Sequence, residues 1–254
     1  MYNSTNKMNK KVSRNAVIIV FLVLAMDQII KIMVKTHLME GQEIFVLGNW
    51  FRIHFVENSG MAFSMELPSA YGKILLSTFR LIAIGFIIYL LRRLIRERYH
   101  PGLVYSGAMI LAGAIGNMID SAFYGLIFTD SIGRVAAVFP QGGGYAGFLK
   151  GNVVDMLWFP IAHGVFPHWL PVWHDEYYEF FRPVFNIADA SITIGVAIII
   201  IFQKSFFAQP ATAEINFKED PLAPTDTNEE ILSTPDIAEH SEPGEGFHEV
   251  TEPR

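Results

Sequence analysis

The chain has 254 residues, about half of them apolar (51%), and a mean hydropathy of +0.31, too apolar and too unevenly patterned for one ordinary soluble domain. Cysteine is absent, which excludes disulfides, cysteine nucleophiles and thiolate metal sites. The net charge of −6 belongs to the C-terminus, because residues 208–254 hold twelve Asp/Glu against Lys218 and Arg254; that tail is −10 and residues 1–207 are +4.

Residues 1–15 are polar and basic, with Lys7, Lys10, Lys11 and Arg14 ahead of an apolar run, the pattern of a cytoplasmic flank. The run at 16–34 is long, carries Asp27 and Lys31 and lacks a small-residue cleavage pattern, so it reads as a retained first span rather than a cleaved signal peptide. Asp27 and Lys31 stand at i and i+4, on one helix face, with the acid on the N-terminal side as an ion pair prefers. Such a pair can neutralise itself inside a helix bundle or act directly in a site.

Two short apolar runs, Ile44-Phe45-Val46-Leu47 and Phe51-Arg52-Ile53-His54-Phe55-Val56, flank Gly48-Asn49 and predict a small extracytoplasmic hairpin or sheet. Glu57-Asn58-Ser59-Gly60 follows, where Asn58 and Gly60 on their own are ordinary turn residues. A second span, residues 74–91, is interrupted only by Arg80 and ends in Arg92, Arg93, Arg96 and Arg98, a second cytoplasmic signal. The third, residues 102–119, is rich in small residues (Gly107, Ala108, Ala112, Gly113, Ala114, Gly116), which permits close helix packing and makes it central. Asn117 and Asp120 at its far end are at i and i+3 and share a face.

Residues 121–185 predict a long extracytoplasmic loop, glycine-rich at Gly142-Gly143-Gly144 and aromatic from Trp158 to Pro183, as suits a membrane interface. The fourth span, residues 187–202, is short and calls for tilt or local thinning of the bilayer. Asp189 sits at its head, where an ionisable side chain in hydrocarbon needs a partner, a wet cavity or a function. Residues 208–254 read as an acidic, disordered cytoplasmic tail. The expected fold is therefore an all-α membrane core of four transmembrane helices, in a domain over residues 1–207, with both termini inside.

That parity brings Asn58, Asn117, Asp120, the 121–185 loop, Asn186 and Asp189 to the outer face. Within the loop, Gly151-Asn152-Val153-Val154-Asp155 supplies a second carboxylate among apolar neighbours. Asp155 and Asp189 could form a dyad sharing one proton, one acid activating water and the other hydrogen-bonding a scissile carbonyl. Buried acids in membranes also serve as proton relays or structural partners, and spacing alone leaves these readings open.

Five ordered pieces resemble lipoprotein signal peptidase (signal peptidase II): Asp27-Gln28-x-x-Lys31; Asn58-x-Gly60-x-Ala62-Phe63; Gly113-Ala114-x-Gly116-Asn117-x-x-Asp120; Val153-Val154-Asp155; and Phe185-Asn186-x-Ala188-Asp189. The resemblance implies an intramembrane aspartic endopeptidase of the bacterial inner membrane that cuts a prolipoprotein before its diacylglyceryl-modified cysteine. It implies Asp155 and Asp189 as the catalytic pair, with Asn58, Gly60, Asn117, Asp120, Asn186, Asp27 and Lys31 supporting the site or the substrate. The expected partners are a lipid-modified precursor and membrane lipid, around a monomer, with no metal, cofactor or nucleic acid. Two departures stand out: Ser121 follows Asp120 where the family usually has Arg, and Asp130 lies nearer than Asp155 to the usual place of the first catalytic acid. The Val-Val-Asp context favours Asp155, at the cost of an insertion of about two dozen residues.

Two other classes compete. His163, His168 and His174 with Asp175 and Glu176 raise a metal-dependent membrane hydrolase, although the spacing matches no HExxH helix. Asp27, Asp120 and Asp189 could form the relay of a proton-coupled transporter or serve a non-catalytic membrane partner, although no inverted repeat is visible.

Overall fold

The computed structural model describes residues 2–59, 70–160, 162–169, 175–180 and 183–207. Gly60, His174 and the acidic tail lie outside the described residues.

Helix α1 spans Tyr2–His37, unbroken because no Gly or Pro interrupts those residues, and α2 spans Ala70–Arg96. Helix α3, Pro101–Ile119, starts with Pro at its head and His100 Nδ1 accepting the Gly102 N–H at 3.1 Å. It does not end where the sequence predicts. A π-helical turn, Asp120–Tyr124, and the short α4, Gly125–Ile127, carry the rod onward, so the loop expected from residue 121 begins some seven residues later. The wide turn is sustained because Asp120 and Ser121 are buried and hydrogen-bonded, a common use of π turns at functional sites.

Three helical stretches, Met8–His37, Gly72–Arg96 and Pro101–Ile127, are long and apolar enough to cross a membrane. The fourth, α5 at Ile187–Ile201, is apolar but only 15 residues long, and the four-residue α6, Gln203–Phe206, follows it. By length and composition, then, three of the four expected spans are long enough to cross, and the fourth is a shorter apolar helix. Phe21, Phe79, Ile82 and Ile201 point outward from these helices, as a lipid-facing surface requires.

Helix α3 packs against α1, α2 and α5, the central position that its small residues predict. A Cβ on Gly113 would stand 2.2 Å from the Ala188 carbonyl oxygen, and one on Gly195 would stand 2.7 Å from that of Ser106. Glycine at both positions lets the α3 and α5 backbones touch. Leu91, Leu103, Val104, Ala108 and Leu111 fill the helical core below.

The predicted hairpin, β1 at Glu43–Leu47 and β2 at Phe51–Asn58, is half of a larger sheet. Strand β3 (Val153–Trp158) pairs with β2, and β6 (Val184–Phe185) with β3, giving the antiparallel order β1-β2-β3-β6. The loop therefore contributes two of the four strands of this sheet. A separate ribbon joins β4 (Ala162–Val165) to β5 (Tyr177–Phe180). Phe55, Val154 and Met156 seal the sheet against Val34, Tyr124 and Phe128 at the end of the bundle.

Candidate active site

Register sets the first part of the site. In the β2–β3 pair Val56 faces Asp155 and Asn58 faces Val153, so Asn58 lies diagonally across from Asp155 on one face of the sheet. Its Nδ2 donates to Asp155 Oδ2 at 3.2 Å. Glu57, one residue earlier, faces the other way and ion-pairs with Lys35.

Helix α5 sets the second part. Asn186 is its N-cap: Oδ1 accepts the Asp189 N–H at 2.9 Å, and the Asp189 carboxylate accepts the Asn186 backbone N–H at 3.3 Å, a reciprocal capping box. Because Oδ1 is committed to a backbone donor, Nδ2 must face elsewhere, and it donates to Asp155 Oδ1 at 2.7 Å. One asparagine thus holds Asp155 with its side chain and Asp189 with its backbone.

The same logic orients Asn117. Lys31 can only donate, so the Asn117 Oδ1 that meets its Nζ at 2.9 Å leaves Nδ2 to donate to Asp189 Oδ1 at 2.8 Å. All three Lys31 protons are engaged, the other two by Asp27 Oδ2 at 2.9 Å and Asp120 Oδ2 at 2.8 Å. The expected Asp27–Lys31 pair exists, and Asp120 joins it as a third member. All three side chains are fully buried. Such a cluster survives only with its hydrogen bonds complete. Gln28 completes it, its amide donating to Asp27 Oδ2 at 3.0 Å and to Asp120 Oδ1 at 2.9 Å.

The cluster also grips both acid-bearing elements. Asp27 Oδ1 accepts the Ala188 N–H in the first turn of α5 at 2.9 Å, and Asp120 Oδ2 accepts the Val154 N–H beside Asp155 at 3.2 Å. Gly116 makes room for this, since a Cβ there would stand 2.8 Å from Asp27 Oδ2.

Asp155 is nearly excluded from solvent, at 4% exposure. Burial, reinforced by the neighbouring Asp189 charge, pushes its pKa up to about 7 against the opposing pull of the Asn58 and Asn186 amides. A protonated acid therefore persists at Asp155 near neutrality. The rival Asp130 is exposed and ion-paired with Arg134, which holds its carboxyl below the usual range. The structure thus joins the sequence-predicted Asp155, Asp189, Asn58, Asn117, Asp120, Asn186, Asp27 and Lys31 in one connected network, while Gly60 lies outside the described residues. The sequence assigns no role to Gln28, to Arg80, whose Nη1 donates to Ser121 Oγ at 3.0 Å, or to the Lys35–Glu57 pair. The last had a signal, since Lys35 falls one turn after Lys31 on the same face.

His168 Nδ1 lies 2.7 Å from Asp175 Oδ2 in an exposed pair, and the His163 side chain and His174 lie outside the described residues. Among the described residues no group of three or more His, Asp or Glu side chains is arranged to hold a metal ion.

Fold and site together define a helical membrane protein with two carboxylates, one on a strand and one at a helix N-terminus, tied by asparagines. The family model described as Signal peptidase (SPase) II matches residues 19–205, and the chain belongs to that family of peptidases. It is 52% identical over 184 residues to the lipoprotein signal peptidase of Porphyromonas gingivalis, covering 72% of this chain and 80% of that one. The lipoprotein signal peptidase of Amoebophilus asiaticus is 36% identical over 195 residues, covering 76% and 78% respectively. Two solved structures, described as a bacterial membrane enzyme determined by the in meso method, align with a TM-score of 0.49 each. They are 25% and 22% identical, over 74% and 77% of this chain and 92% of each of theirs.

Proposed function

We propose that this chain is an intramembrane aspartic endopeptidase that removes the signal peptide of a prolipoprotein, cutting before the diacylglyceryl-modified cysteine, with Asp155 and Asp189 as its catalytic pair. The names of its relatives support the substrate class. One observation carries the assignment of the pair: Asn186 binds both carboxylates, through Nδ2 at 2.7 Å to Asp155 and through its backbone N–H at 3.3 Å to Asp189.

The two acids differ in the way the chemistry needs. Asp155, pushed up to about 7, keeps a proton to place on the scissile carbonyl oxygen. Asp189 sits at the positive end of the α5 dipole and receives N–H donors from Asn117 and Asn186, an environment suited to a carboxylate. In the first step Asp189 takes a proton from water as its oxygen bonds to the carbonyl carbon, while Asp155 protonates the carbonyl oxygen. In the second, the gem-diol returns a hydroxyl proton to Asp155, the C–N bond breaks, and Asp189 passes its proton to the leaving nitrogen. The dyad ends in its starting state.

The enzyme works as a monomer in the bacterial inner membrane, with both termini cytoplasmic and the site near the outer leaflet. Four crossings require α5 to span as well. Its 15 residues reach about 22 Å at 1.5 Å per residue, so tilt, thinning and the α6 extension make up the remainder of a core of ~30 Å. Asp155→Asn and Asp189→Asn are each expected to insert and fold but leave a lipid-modified precursor uncut, whereas Asp130→Asn keeps full activity. Normal processing by either of the first two variants would refute the pair.

A further inference from the structure

Arg80 is a cation in the middle of an apolar helix, between Phe79 and Leu81, which both face outward. Its own side chain is half-buried and turns inward, where a charge in lipid has to find partners. Among the described residues it meets the Ser121 hydroxyl, Nη1 to Oγ at 3.0 Å, and that hydroxyl sends its own proton to the Asn117 carbonyl at 3.0 Å. Ser121 therefore accepts one of the five guanidinium N–H bonds. The carboxylates within electrostatic reach, Asp189, Asp120 and Asp155, are taken up by Asn117, Lys31, Gln28, Asn58 and Asn186, and among the described residues none pairs with Arg80.

Arg80 also lines a small cavity, together with Asn58, Lys73, Ser77, Ser121 and Val153 among others. Asn58 is shared between this cavity and Asp155. Lys73, Ser77 and Arg80 recur at i, i+4 and i+7 and share one face of α2. Lys73 leans on Asn152 Oδ1 at 2.7 Å, and Ser77 donates to the Leu149 carbonyl at 3.2 Å, so the insertion fixes the far wall. A wall of cations one asparagine away from the catalytic acid calls for neutral or anionic acceptors.

The geometry points to this cavity as a substrate subsite, in which Arg80, flanked by Lys73, donates hydrogen bonds to carbonyl oxygens of the lipid-modified segment next to the scissile bond. The inference rests on the function proposed above. It also supplies a cation next to position 121, where this chain has Ser in place of the expected Arg: the guanidinium comes from α2 and is held by the Ser121 hydroxyl.

The test uses the full chain in lipid vesicles and a diacylglyceryl-modified precursor peptide. Arg80→Gln is expected to raise KM about tenfold or more, the loss of a charge-assisted hydrogen bond, with kcat and thermal unfolding near those of the parent chain. Arg80→Lys, which keeps the charge but not the fork, should fall between, and serves if the Gln variant does not insert. In Arg80→Ser combined with Ser121→Arg, the new guanidinium can enter the vacated space, and KM should recover relative to Arg80→Ser alone. A precursor with ether-linked alkyl chains separates the acceptors: a retained penalty assigns the peptide carbonyls, and a lost one assigns the glyceryl ester carbonyls. An unchanged KM in the charge-removing variant, a loss confined to kcat, or a KM shift that vanishes when anionic lipid is omitted would overturn the subsite. Failure of the parent chain to cut the precursor would instead overturn the function.

Discussion

Asn58 and Asn186 both donate to Asp155, one to each carboxylate oxygen, and each favours the charged acid while burial and Asp189 oppose it. The balance leaves Asp155 at about 7, so the proton required on it is present below that pH and lost above it. The alkaline limb of kcat/KM should therefore fall near neutrality. Asn58→Ala removes one of the amides that favours the charged form, so that limb should move to higher pH, with slower turnover from the misplaced acid. A limb that stays put or moves to lower pH in a pH–rate profile would contradict the assignment of Asp155 as the protonated partner. Lys31 acts differently, because its three protons hold Asp27, Asp120 and Asn117 together. Lys31→Met leaves two buried acids without their cation and should cost about 3–5 kcal/mol, read as a lowered Tm in detergent.

The elements are joined by backbone groups as much as by side chains. Helix α5 is fixed where its first turn meets Asp27 and where its backbone rests on Gly113, and β3 is fixed where Val154 meets Asp120. Gly113→Ala places a methyl 2.2 Å from the Ala188 carbonyl oxygen, so α5 must move and carry Asp189 with it. We expect a loss of about 1–3 kcal/mol together with a fall in kcat, whereas Gly85→Ala, with nothing within 4 Å, should leave both unchanged. Equal Tm and activity in the two variants would show that the α3–α5 contact does not position the site. The insertion is held by a second polar peg, in which Lys35 pairs with Glu57, Ser131 donates to Glu57 Oε1 at 2.5 Å, and Asn152 donates to Glu57 Oε2 at 3.1 Å. That peg lies one residue from Asn58 and one from Val153, which is how a long loop can deliver an acid in register.

Across the whole molecule, the proposed orientation puts the β1–β2 turn outside and the α2–α3 turn inside. Because the chain has no cysteine, single substitutions at the exposed Asn49 and Glu97 give clean labels. A membrane-impermeant thiol reagent added to whole cells should modify Asn49→Cys and not Glu97→Cys, and the reverse pattern would invert the topology. A chain ending at residue 207 should process its precursor at the parent rate, since no residue proposed for the site lies beyond it. The sequence by itself determined the apolar helices, the basic flanks and the family motif, because hydropathy and short ordered spacings are local properties of the chain. It also singled out Asp155 and Asp189 and the asparagines around them, through motif context. It did not determine the extension of α3 past Asp120, which depends on partners from α1 and α2, or the recruitment of the loop into the sheet, which depends on β2–β3 register. Nor could it reveal that Asn186 binds both acids, that Asp27 caps a helix 161 positions away, or that Arg80 reaches Ser121. Apart from the bond between Asn186 and Asp189, those contacts join groups far apart in the chain, and they depend on how the helices and the sheet pack together, which only the tertiary structure contains.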